Sequence, residues 1–298
     1  MLMGIHILLT LKCTNECDHC FLHCSPGREA TFTIAQLQTL IRQIEELGTV
    51  NIVYFEGGEP FLFYPLLLEG LRMVRAVGLD VGIVTNAYWA TSVEDGLHWL
   101  RSIRELGIVD FSVSDDDFHR RDKNDRKAEF ACRAAQQLGI LTSTLCIESP
   151  SVSYQPAEGQ HGKPVVGGCV LFKGRAAEKL TARLPTRSCE EFTTCPHEDL
   201  LSPERVHVDA YGNVHLCQGL SMGNIWEKPL ADLVSGYDAQ VHPIVGPLVR
   251  GGPRQLASEH GLAMCDGYVD ECHMCYTARK LLLSRFPEHL APKEAYGL

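Results

Sequence analysis

ELGTVNIVYF, residues 46–55, closes a helical pattern at Leu47 and Gly48 and then opens a β-rich apolar run. The same junction recurs as AVGLDVGIVT at 76–85, ELGIVDFSVS at 105–114 and QLGILTSTLC at 137–146. The four glycines, Gly48, Gly78, Gly107 and Gly139, stand about thirty residues apart, the length of one βα unit. The first helix shows the logic. Thr33 can cap it, Ile34, Leu37, Ile41, Ile44 and Leu47 fall on one face, and Gly48 can end it. Each following strand is apolar enough to be buried on both faces, as in a parallel sheet. With 4–11 as the first strand, the order implies an α/β chain whose residues 1–180 form a partial parallel (β/α)6 barrel, TIM-barrel-like.

In such a barrel the chemistry sits in the loops after the strands' C-terminal ends. KCTNECDHC at 12–20 follows the first strand, EGGEP at 56–60 the second, TNAYW at 85–89 the third and SVSDDDFH at 112–119 the fourth. All four unusual segments are therefore expected on one rim. After about residue 180 the pattern gives way to short elements rich in Cys, His, Pro and Gly, a small α+β module expected over 181–285 with a tail at 286–298. VHVDAYGNVHLC at 206–217 is expected as a hairpin turning at Tyr211-Gly212-Asn213, and CHMCYTARKLLLSR at 272–285 as a helix opening on a Cys-x-x-Cys pair.

The chain has 298 residues and 13 cysteines, an odd number in a sequence long enough to build a core without staples, which puts disulfides last among cysteine roles. MLMGIHILLTLK lacks a basic leader region and a small-residue cleavage site, so it is expected as a buried strand. FLFYPLLLEGL at 61–71 is about half the length that crosses a bilayer. A formal charge of −10 argues against a nucleic-acid partner. RRDKNDRK at 120–127 is locally basic, but its interleaved acids suit a solvated helix face. The expectation is a cytoplasmic protein with neither membrane nor nucleic-acid partners.

Cys13, Cys17 and Cys20 give three thiolates in one loop. Zinc prefers four closed ligands, which would need His19, His23 or Cys24 to be recruited. A [4Fe–4S] cubane held by three thiolates instead leaves one iron open to a ligand. Gly57 and Gly58 allow close backbone approach, and Pro60 fixes the exit of that turn.

The Cys13-x3-Cys17-x2-Cys20 spacing, together with Gly57-Gly58-Glu59-Pro60, resembles the signature of the radical S-adenosylmethionine (radical SAM) superfamily, over roughly the first 180 residues. The resemblance implies a cluster on the three cysteines whose open iron chelates S-adenosylmethionine. It implies cofactor contacts from Gly57, Gly58, Glu59 and Pro60, from Asn86 beside Ala87 where the family usually has glycine, and from Ser114 and Asp116. It also puts His19 where an aromatic residue usually meets the adenine. Cys24 is expected as a bystander, and Asp115 and Asp117 as a solvated turn.

The second module resembles the SPASM and twitch extensions that carry auxiliary clusters, through Gly212-x4-Cys217 and the following MGNIWEKPLADL. Its six cysteines suit one cluster, giving two [4Fe–4S] clusters per chain. Cys195, Cys217, Cys272 and Cys275 match the ligand order of a twitch-type dehydrogenase. Cys189 and Cys265 are alternates from a sulfatase-maturase-like pattern, and a zinc knuckle competes for the module taken alone. Arg175, placed at the end of a sixth strand, is the candidate catalytic residue, against a plain surface arginine.

The resemblance implies an enzyme that cleaves S-adenosylmethionine to a 5′-deoxyadenosyl radical and removes hydrogen from a C–H bond. It also implies a low-potential electron donor of flavodoxin or ferredoxin type. The expected outcome is net oxidation or cross-linking of a peptide or small polar metabolite, with the auxiliary cluster accepting the electron. Alternatives are a redox-neutral rearrangement with substrate on an open auxiliary cluster, and a non-catalytic metal-binding or electron-transfer protein.

Overall fold

A computed structural model describes residues 1–120, 122–154 and 164–298. Four βα units and a fifth strand open the chain: β1 Gly4–Thr10, α1 Ile34–Leu47, β2 Ile52–Gly57, α2 Tyr64–Ala76, β3 Asp80–Thr85, α3 Val93–Glu105, β4 Asp110–Ser114, α4 Lys127–Gln137 and β5 Thr142–Leu145. A two-stranded ribbon, β6 Ser151–Tyr154 with β7 Pro164–Gly167, precedes the short helix α5 Arg175–Lys179. Then come β8 Arg187–Ser188, β9 Arg205–Asp209, β10 Asn213–Cys217, β11 Leu220–Asn224, α6 Leu230–Ser235, α7 Val245–Glu259, β12 Gly267–Tyr268 and α8 Glu271–Leu282.

The main sheet has eight strands in the order β11-β10-β9-β1-β2-β3-β4-β5. Strands β1 to β5 run parallel, β9 joins β1 in parallel, and β10 and β11 finish the other edge antiparallel. The result is the expected α/β architecture, a mostly parallel sheet of partial-barrel type. Its sixth parallel strand is β9, however, not a segment ending at Arg175, which instead begins α5. The sheet therefore runs without a break from the first βα units into the Cys-rich half, and the 206–217 hairpin is where it crosses.

Local chemistry explains the elements. Thr33 and Gln36 form a reciprocal capping box on α1, and Gly48 ends it in the left-handed region at φ 69°. The other three repeat glycines share that region, at φ 80°, 65° and 67°. Leu37, Leu40, Ile41 and Ile44 are the buried face of α1; Ile34, expected on it, is exposed because it opens the first turn. Ile5, Ile7 and Leu9 of β1 enter the large core beneath the helices, while His6, Leu8 and Thr10 face the barrel interior. The basic stretch after the fourth strand is a turn leading into α4 and not a helix face, with Arg120 paired to Asp115 and Lys127 to Asp125; Arg121 lies outside the described residues. Among the described residues no helix is long and apolar enough to cross a membrane.

Candidate active site

The loop after β1 folds back on its own strand: the Cys13 amide donates to the Ser25 carbonyl at 3.1 Å, and the Cys20 amide to the Cys17 carbonyl at 3.1 Å. The end of β2 presses against this loop. A β-carbon on Gly58 would collide with the Lys12 carbonyl and one on Gly57 with the Thr10 carbonyl, while Gly58 N donates to Thr10 O at 2.7 Å and Glu59 N to Lys12 O at 2.9 Å. The two glycines thus serve first to seat the cysteine loop, a closer constraint than the cofactor contact expected of them.

A cavity of about 310 Å3 brings together Cys13, Cys17, Cys20, His19, Gly57, Gly58, Asn86, Ser114 and Asp116, with Glu56 in its wall. Asn86 donates from Nδ2 to Cys13 Sγ at 3.5 Å and to Thr14 Oγ1 at 3.0 Å, and the Asn15 amide donates to the same sulfur at 3.4 Å. Burial pushes the Cys13 thiol up to about 11 and the Cys17 thiol up to about 12. Cys20 moves the other way, with a hydrogen bond from Cys24 as the largest cause, and Cys24 lines the same cavity.

Two expected contacts lie elsewhere. Glu59 and Pro60 are buried behind the cavity wall. The Glu59 carboxylate accepts from Thr85 Oγ1 at 2.9 Å, Phe61 N at 3.0 Å and Asn86 N at 2.8 Å, so it fixes the residue that reaches Cys13. Arg175 is also buried and away from the cavity. Its guanidinium donates to the carbonyls of Cys17 at 2.7 Å and Cys24 at 2.9 Å, and its amide to that of Cys20 at 2.9 Å, clamping the cysteine loop. It is neither the surface arginine nor the substrate-facing residue its sequence position suggests.

Asp116 is fixed by its own turn: Oδ1 accepts from His119 Nδ1 at 2.8 Å and Oδ2 from the Ile147 amide at 3.2 Å, tying the loop after β4 to the end of β5. Asp115 pairs with Arg120, and Asp117 is 89% exposed at its side chain, as a solvated turn requires. The His19 ring lies against Phe118 at 4.5 Å between centroids, and burial lowers its basicity to about 4. A neutral imidazole, tilted against Phe118, is suited to lie against a flat aromatic ligand.

A second cavity gathers Cys195, Cys217, Cys272 and Cys275 from a loop, the end of β10 and the first turns of α8. Cys189 packs instead with Phe192, Tyr268 and Met274, and Cys265 is exposed with its sulfur on the Gly267 carbonyl. Two cations that sequence reading missed stand here. Lys173 Nζ lies 3.6 Å from Cys217 Sγ and 5.6 Å over the ring of Phe21, next to Cys20. Arg279, 1% exposed, donates to the Gln218 carbonyl at 2.9 Å. Neither belongs to a motif, and only the fold brings them to the thiols. Burial pushes Cys195 and Cys272 up, and Cys275 up to about 11.

The donor spacing bears on what each set can hold. Among the described residues no three cysteine sulfurs lie within 4.8 Å of one another. A tetrahedral zinc cage with Zn–S bonds of about 2.3 Å would place its sulfurs about 3.8 Å apart. Thiolate donor sets of this kind suit an iron–sulfur cluster.

A parallel partial barrel with a three-sulfur loop at its C-terminal rim defines an enzyme class that sets an iron–sulfur centre beside a small-molecule cavity. Residues 7–147, just under half of the chain, match the model described as the Radical SAM superfamily. YydG of Bacillus subtilis (strain 168), named for peptide biosynthesis, is 24% identical over 115 residues, 39% of this chain and 36% of YydG, so the match spans about a third of that relative's length. The crystal structure of BtrN in complex with AdoMet and 2-DOIA has the same fold, with a TM-score of 0.56 at 19% identity over 84% of this chain and 88% of BtrN. Native anSMEcpe with bound AdoMet covers 96% of this chain and 97% of its own, with a TM-score of 0.49 and 14% identity.

Proposed function

We propose that Cys13, Cys17 and Cys20 hold a [4Fe–4S] cluster and that Cys195, Cys217, Cys272 and Cys275 hold a second one, in an enzyme carrying out a net radical oxidation or cross-link. The observation that carries the reading is that Cys13, Cys17 and Cys20 line one cavity, with Cys24 and Cys169 also in its wall, and Cys195, Cys217, Cys272 and Cys275 line another, with Cys189 and Cys265 outside both. The core would be residues 1–180, the auxiliary module 181–285 and the tail 286–298. When bound, the first cluster and S-adenosylmethionine supply a 5′-deoxyadenosyl radical that removes hydrogen from an unactivated C–H bond. The second, fully ligated by thiolates, is suited to take the electron left on the substrate.

The residues do the positioning. Asn86 Nδ2 and the Asn15 amide donate to Cys13 Sγ, stabilising sulfur charge there. His19 and Phe118 offer the stacking surface for an adenine, and Ser114 lies in the wall for a ribose hydroxyl or substrate. Lys173, between Phe21 and Cys217, stabilises negative charge on the second set. A low-potential flavodoxin- or ferredoxin-type protein would deliver the electron. YydG's name supports a peptide substrate, and the fold shared with BtrN, whose crystal contains 2-DOIA, supports a small polar one.

Anaerobic reconstitution should give about eight irons per chain, falling to about four in both Cys17→Ala and Cys217→Ala. Only Cys17→Ala should abolish cleavage of S-adenosylmethionine without substrate. Stoichiometric zinc and no iron on the second set would overturn the auxiliary-cluster part.

A further inference from the structure

We propose that His6, Glu56 and His207 form a binding site for one divalent transition-metal ion, of the zinc or ferrous class, inside the barrel at the wall of the substrate cavity. The three residues come from the adjacent parallel strands β1, β2 and β9. Register pairs His6 with His207 on one side and with Tyr54 on the other, and alternation brings Glu56, two positions after Tyr54, to the same face. No element of the proposed radical chemistry uses this cluster, so the inference stands or falls separately from that reading.

Glu56 Oε2 lies 3.1 Å from His6 Nδ1, and Glu56 Oε1 lies 3.1 Å from His207 Nε2. The three donor atoms fall within 4.8 Å of one another. Bonds of about 2.1 Å to one ion would separate neighbouring donors by about 3.4 Å in a tetrahedral site and about 3.0 Å at right angles, which brackets the observed spacing. His6 Nδ1 adds an independent sign: it is buried and has no hydrogen-bond partner, although the carboxylate oxygen is so close. A ring nitrogen that close to an oxygen, yet not aligned to bond it, is placed to share a third atom with it. Packing fixes the rings, with His6 stacked on Tyr54 at 4.8 Å and 4.9 Å from His207.

Two imidazoles and one carboxylate leave further coordination positions free. Because Glu56 also lines the cavity, an ion here could take an oxygen of the substrate, from a hydroxyl, carboxylate or amide. Neighbouring polar groups do not compete for it. His215 is committed to Asp209 Oδ2 at 3.0 Å and to the Gly219 amide at 3.0 Å. In the other compact set, His19 with Asp116 and His119, Asp116 is held by His119 Nδ1 and the Ile147 amide, while His19 Nδ1 is buried without a hydrogen-bond partner.

The test uses the reconstituted full-length protein, incubated anaerobically with Zn2+, passed through gel filtration with a weak chelator, and measured for zinc and iron together. Wild type should retain about one zinc beyond its iron. His6→Gln, Glu56→Gln and His207→Gln should each lose it by roughly tenfold or more, with iron unchanged. Mn2+, which prefers nitrogen and oxygen to thiolate, should show the same difference by electron paramagnetic resonance. Wild type that retains neither ion, or variants that keep iron and hold as much zinc as wild type, would overturn the site. A variant that loses iron has misfolded and is set aside, the wild-type stoichiometry and the remaining variants deciding.

Discussion

The two sulfur sets are built in opposite ways. Cys13, Cys17 and Cys20 share one loop of the chain, and their geometry depends on what holds that loop: the Gly58 backbone, Asn86 and Arg175. Cys195, Cys217, Cys272 and Cys275 come from three separate elements, so the site exists only once β10, α8 and the 195 loop have packed. The first set can in principle lose its geometry while the fold persists. In the second, with the cluster proposed above, ligation and folding would be one event. Each is nonetheless backed by a buried arginine on carbonyls beside the cysteines, Arg175 on Cys17 and Cys24, and Arg279 on Gln218.

The sharpest way to break this comparison is to remove those arginines. Arg175→Ala leaves two carbonyls without their charged donor and should cost the loop about 3–5 kcal/mol. Most of the first-site iron and nearly all cofactor cleavage should go, with the second-site iron spared. Arg279→Ala should do the reverse, and it should also lower the unfolding midpoint, because its site fastens separate elements together. Iron counted per site by Mössbauer or paramagnetic resonance in both variants decides. If either variant emptied both sites, the two halves would be one cooperative unit, with Lys173 as their connection.

What the sequence discloses follows the same division. The βα repeat is local, with a capping pair, an apolar face and a terminating glycine inside each thirty-residue unit, and it emerges as written except that Ile34 turns outward. The three-cysteine loop is equally local. Arg175 was visible, but its partners Cys17 and Cys24 lie about 150 residues away in sequence, and the strand expected before it is supplied by β9 instead. Lys173, Arg279 and the His6–Glu56–His207 cluster carry no local pattern, since each consists of residues that only sheet order brings together. Glu59 misleads for another reason. Its place in a ligand-binding motif suggests contact, whereas its carboxylate is spent on Thr85, Phe61 and Asn86.

Glu59 gives the intermediate effect. Burial pushes its carboxyl up from 4.5 to about 7, against the hydrogen bonds from Asn86, Phe61 and Thr85 that pull it down. The folded chain therefore holds this proton more tightly than the unfolded one. Its contribution to stability is full below pH 4.5 and is lost as pH rises through about 7, at no more than about 1.4 kcal/mol per pH unit. Denaturant midpoints of wild type and Glu59→Gln should converge toward low pH, with wild type losing ground between those values. A constant difference from pH 5 to pH 8 would show that the carboxyl does not titrate there, and that the three donors outweigh burial.

The smallest expected effect is at Ala87, next to the asparagine that reaches Cys13. It is fully buried and sits at φ 58°, a left-handed backbone that costs a residue with a β-carbon about 1–2 kcal/mol. Ala87→Gly relieves that strain, but it also gives up a buried methyl group worth about 0.8 kcal/mol and adds freedom to the unfolded chain worth about 0.4–1 kcal/mol. The terms nearly cancel, so the variant should lie within about 0.5 kcal/mol of wild type. Ala134→Gly is the control: that alanine is fully buried in α4, where helical backbone offers no strain to relieve. There the helix penalty and the lost methyl add to about 2 kcal/mol. Urea midpoints of the two variants should differ accordingly, and equal losses would mean that the turn at Ala87 stores no strain and that alanine is simply the residue its packing accepts.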